Sequence, residues 1–302
     1  MTSSRNFSMT TISATSILRS RHAQRPDKVL STLLLRYPRW IHAEFMTHRQ
    51  LSRNAASSRA IPVKKLIQDV MDNPAMPIHW GANEKGMQAN QQLTGVTLHV
   101  TRDLWRDSCS RAIACAAEMD AQGAHKQIIN RILEPYAHIT VLASATEWSN
   151  FLALRDHPAA EPHIQILARE VRKELDREDN IQVLQPGQWH LPFVSDETWN
   201  RITETETEWL RSAIKMAVAC CASTSYKTVD GFDMTLEKAV ELHDKLVGAS
   251  PLHASPAEHV AQADKLIDRA FGKDSDVWNH PDQHGNFDGF RQYRKMLPNE
   301  CL

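Results

Sequence analysis

The feature that most constrains this chain is the long helical run from Thr101 to Gln122, which Gly123 stops and which Thr101 is placed to cap. Two strand-like stretches lie on either side of it: "KVLSTLLLRY", broken by Pro38, and "HITVLASAT", which alternates and is rich in branched residues. Between them, the apolar spacing of "RWIHAEFMTHR" predicts a helix, and Pro62 sits at the first position of another, "PVKKLIQDVMDN". "WGANEKGMQANQ" reads as an exposed loop, and "AHKQIINRILEPY" as helix up to Pro135. A short helix, "EWSNFLALR", delivers Arg155 at its end, and a further one is expected from Pro158 to about Glu178. After the irregular "QPGQWHLPFV", periodicity predicts helices over 207–222 and 235–247. In "ASPAEHVAQADKLIDRA", Ser255 is expected to cap a helix with Pro256 first and Glu258 third. The result is helix-rich, with a few strands not joined by regular βαβ spacing, which is an α+β fold. Residues 1–22 read as a loose Ser/Thr-rich arm and 23–302 as the main domain, within which 180–250 is a helical insertion without assignment.

Composition bounds the function. A chain of 302 residues, 42% hydrophobic, buries a real core and fits one large domain or two modest ones. A net charge of −1 gives no global field to steer a polyanion, so there is no strong nucleic-acid signal and any phosphate contact falls to a local basic cluster. Cys109, Cys115, Cys220, Cys221 and Cys301 are odd in number and lack C-x-x-C pairing, as expected of reduced thiols in a cytosolic protein. No apolar run approaches the roughly 18 residues of a membrane span, and the N-terminus has no apolar signal core, so the expected location is cytoplasmic. His280 and His284 have no convincing partner ligands, and no metal is expected. Trp105, Trp148 and Trp189 read as core or interface residues.

The local basic cluster is "FMTHRQLSRNAASSRAIP", residues 45–62, polar and almost free of acid. Ser hydroxyls, backbone N–H groups and an Arg fork in "SSR" suit a phosphate, although exposed Ser/Arg loops are also ordinary solvated surface. His48, Arg49, seven residues and then Ser57 resemble the Arg-His-Arg-x7-Ser signature of the flavin-dependent thymidylate synthases, with Thr47 in place of the first Arg and Arg59 as the closing Arg. "NRILEPY" and "WSNFLALR" are similar to that family's later segment and supply Arg131, Asn150 and Arg155. The family's His-x-x-Pro-x-Glu-His element, usually upstream, is matched by "HASPAEH" at 253–259, an order that a circular permutation reconciles. "RHAQRPDK" offers His22 and Asp27 as the alternative. Ala55 and Ala56 depart from the family, which usually has Glu and Gln there.

The resemblance implies a helix-rich domain with a small, mostly antiparallel sheet, a homotetramer with sites shared between chains, and transfer of a one-carbon unit from methylenetetrahydrofolate to C5 of dUMP. FAD would be the cofactor and NADPH its reductant. Carried over by position, Thr47, His48, Arg49, Gln50, Asn150 and Ser255 would face the flavin. Glu44, Ser57, Ser58, Arg59, Arg131 and Arg155 would hold the nucleotide, and Arg155, His253 and Glu258 would serve the chemistry. Several have plainer readings: His48 as a helix cap, Arg155 paired with Asp156, Arg131 paired with Glu134, and Glu258 as half of a capping box with Ser255. Two other functions stay open, a different C5 modification such as hydroxymethylation and a flavin- or nucleotide-binding protein without catalysis. The absence of a Pro-Cys-His context agrees with a synthase that uses no nucleophilic cysteine.

Overall fold

A computed structural model describes residues 12–223, 234–249, 252–269, 276–298 and 300. Its organising element is β2 (Val29–Pro38), buried on both faces, with Leu30, Leu33, Leu35 and Tyr37 fully buried. Such a strand needs neighbours on both edges, and it lies inside a five-stranded sheet of order β3-β4-β2-β1-β5. The others are β1 (Ser13–His22), β3 (Ser52–Ala55), β4 (His138–Ala145) and β5 (Ile181–Leu184). All pairings are antiparallel except β1 with β5. The fold is α+β and helix-rich, as expected.

The expectation of a loose arm through residue 22 is wrong for Ser13–His22, which forms β1 beside β2; residues 1–11 lie outside the described part. Its polar composition is misleading because the buried groups find partners. Ser20 Oγ contacts His190 Nδ1 at 2.6 Å, and Arg19 donates to the carbonyls of Leu175 and Arg177.

Between β2 and β3 the chain makes a 3-10 turn (Arg39–Ile41) and α1 (His42–Phe45), shorter than the helix expected. Then come α2 (Val63–Asp72), with Pro62 as its N-cap, and α3 (Gly95–Ala121). The long helix starts at Thr94, not Thr101, whose hydroxyl bonds to the Thr97 carbonyl inside the helix. Gly123, at φ 78°, lies just past its end as expected. Next come α4 (Lys126–Ile129), a 3-10 segment (Asn130–Tyr136), β4, α5 (Ser149–Arg155) and α6 (Pro162–Leu175). Glu161, accepting from the backbone of His163 and Ile164, starts α6 four residues beyond Pro158. Phe151, Ile164, Leu167 and Val171 of α5 and α6 share one core cluster with Leu33, Leu35 and Val141 of the sheet.

Beyond β5 lie β6 (Trp189–His190), α7 (Asp196–Thr205), α8 (Trp209–Ser223) and α9 (Leu236–Val247). The sequence reading missed α7, which Ser195 caps. The supposed helical insertion is also tied to the main sheet through β5. Ser255–His259 is a 3-10 helix that Ser255 does not cap, and it is followed by β7 (Ala261–Ala263) and β8 (Leu266–Arg269) rather than by helix. β7 is held between β6 and a later strand, β10 (Phe290–Gln292), so sheet pairing overrides the helical periodicity of an Ala-rich run. β9 (Asp276–Trp278) pairs with β8, and α10 (Tyr293–Met296) ends the described part. Among the described residues no helix is long and apolar enough to cross a membrane.

Candidate active site

The basic loop is folded by its one strand. β3 pairs with β4 from Ser52 opposite Ser144 to Ala55 opposite Val141, so the loop's two polar ends are carried to opposite ends of the ladder, roughly 10 Å apart. At the first end, buried Phe45 and Phe151 meet edge to face at 5.7 Å, and the His48 ring stands on Phe151 at 5.0 Å. This packing sets the last turn of α5 over residues 44–48. Arg155 then donates from Nε to His48 Nε2 (2.9 Å), from Nη1 to Glu44 (3.1 Å) and from Nη2 to Thr47 Oγ1 (3.4 Å). Glu44, Thr47, His48 and Arg155 thus converge on one point. Asp156, the expected surface partner of Arg155, instead binds Arg169 and Arg172.

His48 accepts through Nε2, which places its own proton on Nδ1. Burial, and then the charges of Arg155 and Arg53, push its pKa down to about 4. The ring is neutral at physiological pH, so it orients Arg155 without adding charge to the Arg155–Glu44 pair. It is therefore not a charged cap on the helix end. Arg53 clamps the same turn, donating to the carbonyls of Met46 (2.8 Å) and His48 (3.0 Å). Arg49 and Gln50 are exposed beside it, and Asn150 is exposed on α5.

At the other end of β3, Glu134 organises the loop. Its Oε1 accepts from the buried Ser58 hydroxyl (2.6 Å), from Arg39 (3.2 Å) and from Arg131 (3.2 Å). The plainer reading of Arg131, an i,i+3 pair, is therefore present. Asn130 Nδ2 fixes the turn by donating to the carbonyls of Ser58 and Ile61. Ser57 is half-buried and Arg59 is exposed. Among the described residues, no hydrogen bond or ion pair engages the side chains of Arg49, Ser57, Arg59 or Asn150.

The C-terminal "HASPAEH" does pack beside the loop within the same chain. Its 3-10 helix lies against β3 and the end of β4, and Gln292 bridges the Ser52 hydroxyl to the Glu258 carbonyl. His259 Nδ1 contacts Ser144 Oγ at 2.8 Å, continuing a buried chain through Thr32 to His190. Burial holds both rings neutral, with pKa values pushed down to about 3. Glu258 is ion-paired with Arg294 rather than boxed with Ser255, and it lies close enough to offset part of the burial cost of Arg53. The side chains of His253 and Ser255 are exposed.

The alternative pair is engaged elsewhere. His22 is fully buried, Nδ1 accepting from the backbone of Gln24 and Arg25 and Nε2 meeting the Asp264 carbonyl at 2.7 Å. Asp27 takes both arms of Arg25. His280 and His284 both hydrogen-bond the Asp264 carboxylate, at 3.1 and 3.0 Å, and the described residues include no group arranged to hold a metal. Cys109, Cys115, Cys220 and Cys221 form no disulfide, while Cys301 lies outside the described part. Trp148 is buried, and Trp105 packs edge-on with Trp40 and Trp80. Sequence reasoning gave no role to Arg39 or Arg53, and it saw Glu134 only as a neighbour of Arg131. Their signal was the density of Arg around an acid-poor loop.

Solved structures similar to this chain include two of the UMP/dUMP methylase PolB from Streptomyces cacaoi. The form bound with 5-Br dUMP is 16% identical, with a TM-score of 0.40, covering 52% of this chain and 69% of that one. The form bound with 5-Br UMP is 14% identical, with a TM-score of 0.42, covering 56% and 90%. No curated protein matches. The family model of thymidylate synthase complementing protein, Thy1, matches residues 7–179, a stretch that holds β1–β4, the basic loop and both clusters built around it. The chain belongs to the Thy1 family.

Proposed function

We propose that the protein methylates C5 of a uracil nucleotide, with dUMP to dTMP as the reaction, using FAD, NADPH and methylenetetrahydrofolate. The observation that carries this reading is the convergence of Glu44, Thr47, His48 and Arg155, from two distant stretches, beside a loop whose Arg49, Ser57 and Arg59 side chains make no hydrogen bond or ion pair among the described residues. Unengaged guanidinium, hydroxyl and amide donors are the groups that phosphate and diphosphate oxygens require. The free donors would serve both a nucleotide and a dinucleotide cofactor, Arg49, Gln50, Asn150 and Ser255 for FAD and Ser57 and Arg59 for the nucleotide, with Thr47 and His48 beside the first and Arg131 beside the second already engaged with Arg155 and Glu134. FAD, once reduced, supplies the hydride.

The chain's own residues orient and stabilise. C5 of uracil is a poor nucleophile, and Arg155, fixed through His48 and Glu44, would hold charge that develops on the pyrimidine carbonyls with its remaining N–H groups. His48 serves as a neutral acceptor that keeps the guanidinium fork in place. His253, exposed two residues before the 3-10 helix that packs against β3, would be open to substrate or to a second chain. The α3 helix shows Val96, Val100 and Leu104, 78%, 51% and 63% exposed, one turn apart on a single stripe. That stripe supports self-association, and the homotetramer that the resemblance implies is part of this proposal.

The test is the absorbance spectrum of the protein incubated with FAD, its perturbation by dUMP, and identification of the product. A flavin spectrum that dUMP shifts, with thymidylate formed, is expected. A colourless protein that binds no FAD by calorimetry overturns the flavin reading, and a hydroxymethylated product replaces methylation with the related reaction.

A further inference from the structure

A cavity of about 440 Å³ lies far along the chain from the basic loop, where β5 and β6 meet α7 and α8. Its volume suits a small organic molecule. Trp189, Trp199 and Trp209 wall it, with Leu184 and Leu210 beside them. Trp199 and Trp209 meet at 75° with centroids 5.1 Å apart, so two indole rings form a corner. Asp196 is the only charged residue in the lining, and among the described residues its carboxylate has no ion pair.

These features agree on the charge of a ligand. An indole face is the negative pole of the ring quadrupole and attracts a cation within about 6 Å of its centroid. The lone carboxylate adds the same sign, and no Lys, Arg or His in the wall offsets it. The surrounding chain, "DETWNRITETETE" over 196–208, carries five acids against Arg201 alone, which draws cations and repels anions. Nucleotides, folates and flavin diphosphates are all anionic, so this pocket is chemically opposite to the loop around β3. We propose that it binds a small organic cation of the alkylammonium class, held by the tryptophan corner and Asp196.

The test uses the full-length protein and choline, followed by tryptophan fluorescence and calorimetry. The control is choline's uncharged isostere, in which tert-butyl replaces trimethylammonium. Saturable binding of choline is expected, roughly tenfold tighter than the isostere. Asp196→Asn should weaken choline severalfold without affecting the isostere, and Trp199→Leu should abolish the response. Asp196 is exposed, so its variant tests the proposal even if Trp199→Leu fails to fold. Equal binding of the isostere, indifference of choline to Asp196→Asn, or no saturable response to choline would each overturn the proposal.

Discussion

The two ends of β3 use the same residue types to opposite effect. At one end Arg155 is the guest of the loop: neutral His48, Thr47 and half-exposed Glu44 share its fork, one carboxylate to one guanidinium at a partly solvated edge. At the other, one carboxylate, Glu134, gathers Arg39, Arg131 and Ser58, so two guanidinium groups share a single negative charge. Arg59 alone stands outside that arrangement. An arginine oriented mainly by neutral acceptors is fixed as a single fork, whereas a carboxylate shared by two arginines and a serine ties several segments of backbone together. The first end therefore suits chemistry, and the second suits the anchoring of a phosphate on Arg59 over a rigid base.

The sharpest break of this comparison is Arg155→Ala. Each charge-assisted hydrogen bond lost costs about 1.5–3 kcal/mol, so kcat/KM with dUMP should fall by roughly 100-fold or more. Arg155→Lys should fall nearly as far, because an ammonium cannot address His48, Glu44 and Thr47 together. Retention of activity within a few fold would move the chemistry away from this end.

Arg59→Ala should weaken nucleotide binding by roughly tenfold to a hundredfold in calorimetry while leaving Tm unchanged, since the side chain is exposed and makes no internal contact. Glu134→Gln should do the reverse. Loss of the shared carboxylate should cost about 1–2 kcal/mol in denaturant unfolding, with a smaller effect on affinity. Similar effects of both variants on both readouts would erase the distinction between anchor and brace.

Acid should separate the ends further. His48 titrates at about 4 in the folded chain and near 6.5 unfolded, so the unfolded state binds more protons in between. Its contribution is complete above about pH 6.5 and is lost as pH falls through 4. His42 and His138, also lowered to about 4 by burial first, act in the same direction. Tm should drop as the pH falls from about 7 to about 4.5, and His48→Asn should flatten part of that slope. The smallest effect is expected from Glu258→Gln. This pair with Arg294 is partly exposed, and stability should change by less than about 1 kcal/mol.

Much of this was legible in the chain itself. Apolar runs announced β2 and β4, and Gly123 marked the end of α3, because strand burial and left-handed backbone are local demands with local residues to meet them. The spacing of His48, Arg49 and Ser57 pointed to a family that the match over 7–179 bears out. What the sequence misread were segments whose state depends on distant partners. Ser13–His22 is polar enough to look loose, and becomes a strand because His190 and Gln182, over 160 residues later, satisfy Ser20. "VAQADKLIDRA" has helical spacing, and is strand where β6 and β10 close on it.

The sequence by itself determined which residues are donors, how far apart they stand along the chain, and that an acid-poor loop follows a buried strand. Only the tertiary structure decided which donors are engaged internally and which remain available. A hydrogen bond between Arg155 and His48, 107 residues apart, or between Ser58 and Glu134, 76 apart, exists because the β3–β4 ladder and the Phe45–Phe151 contact bring those segments together. That juxtaposition follows from packing of the whole sheet, and no window of sequence contains it.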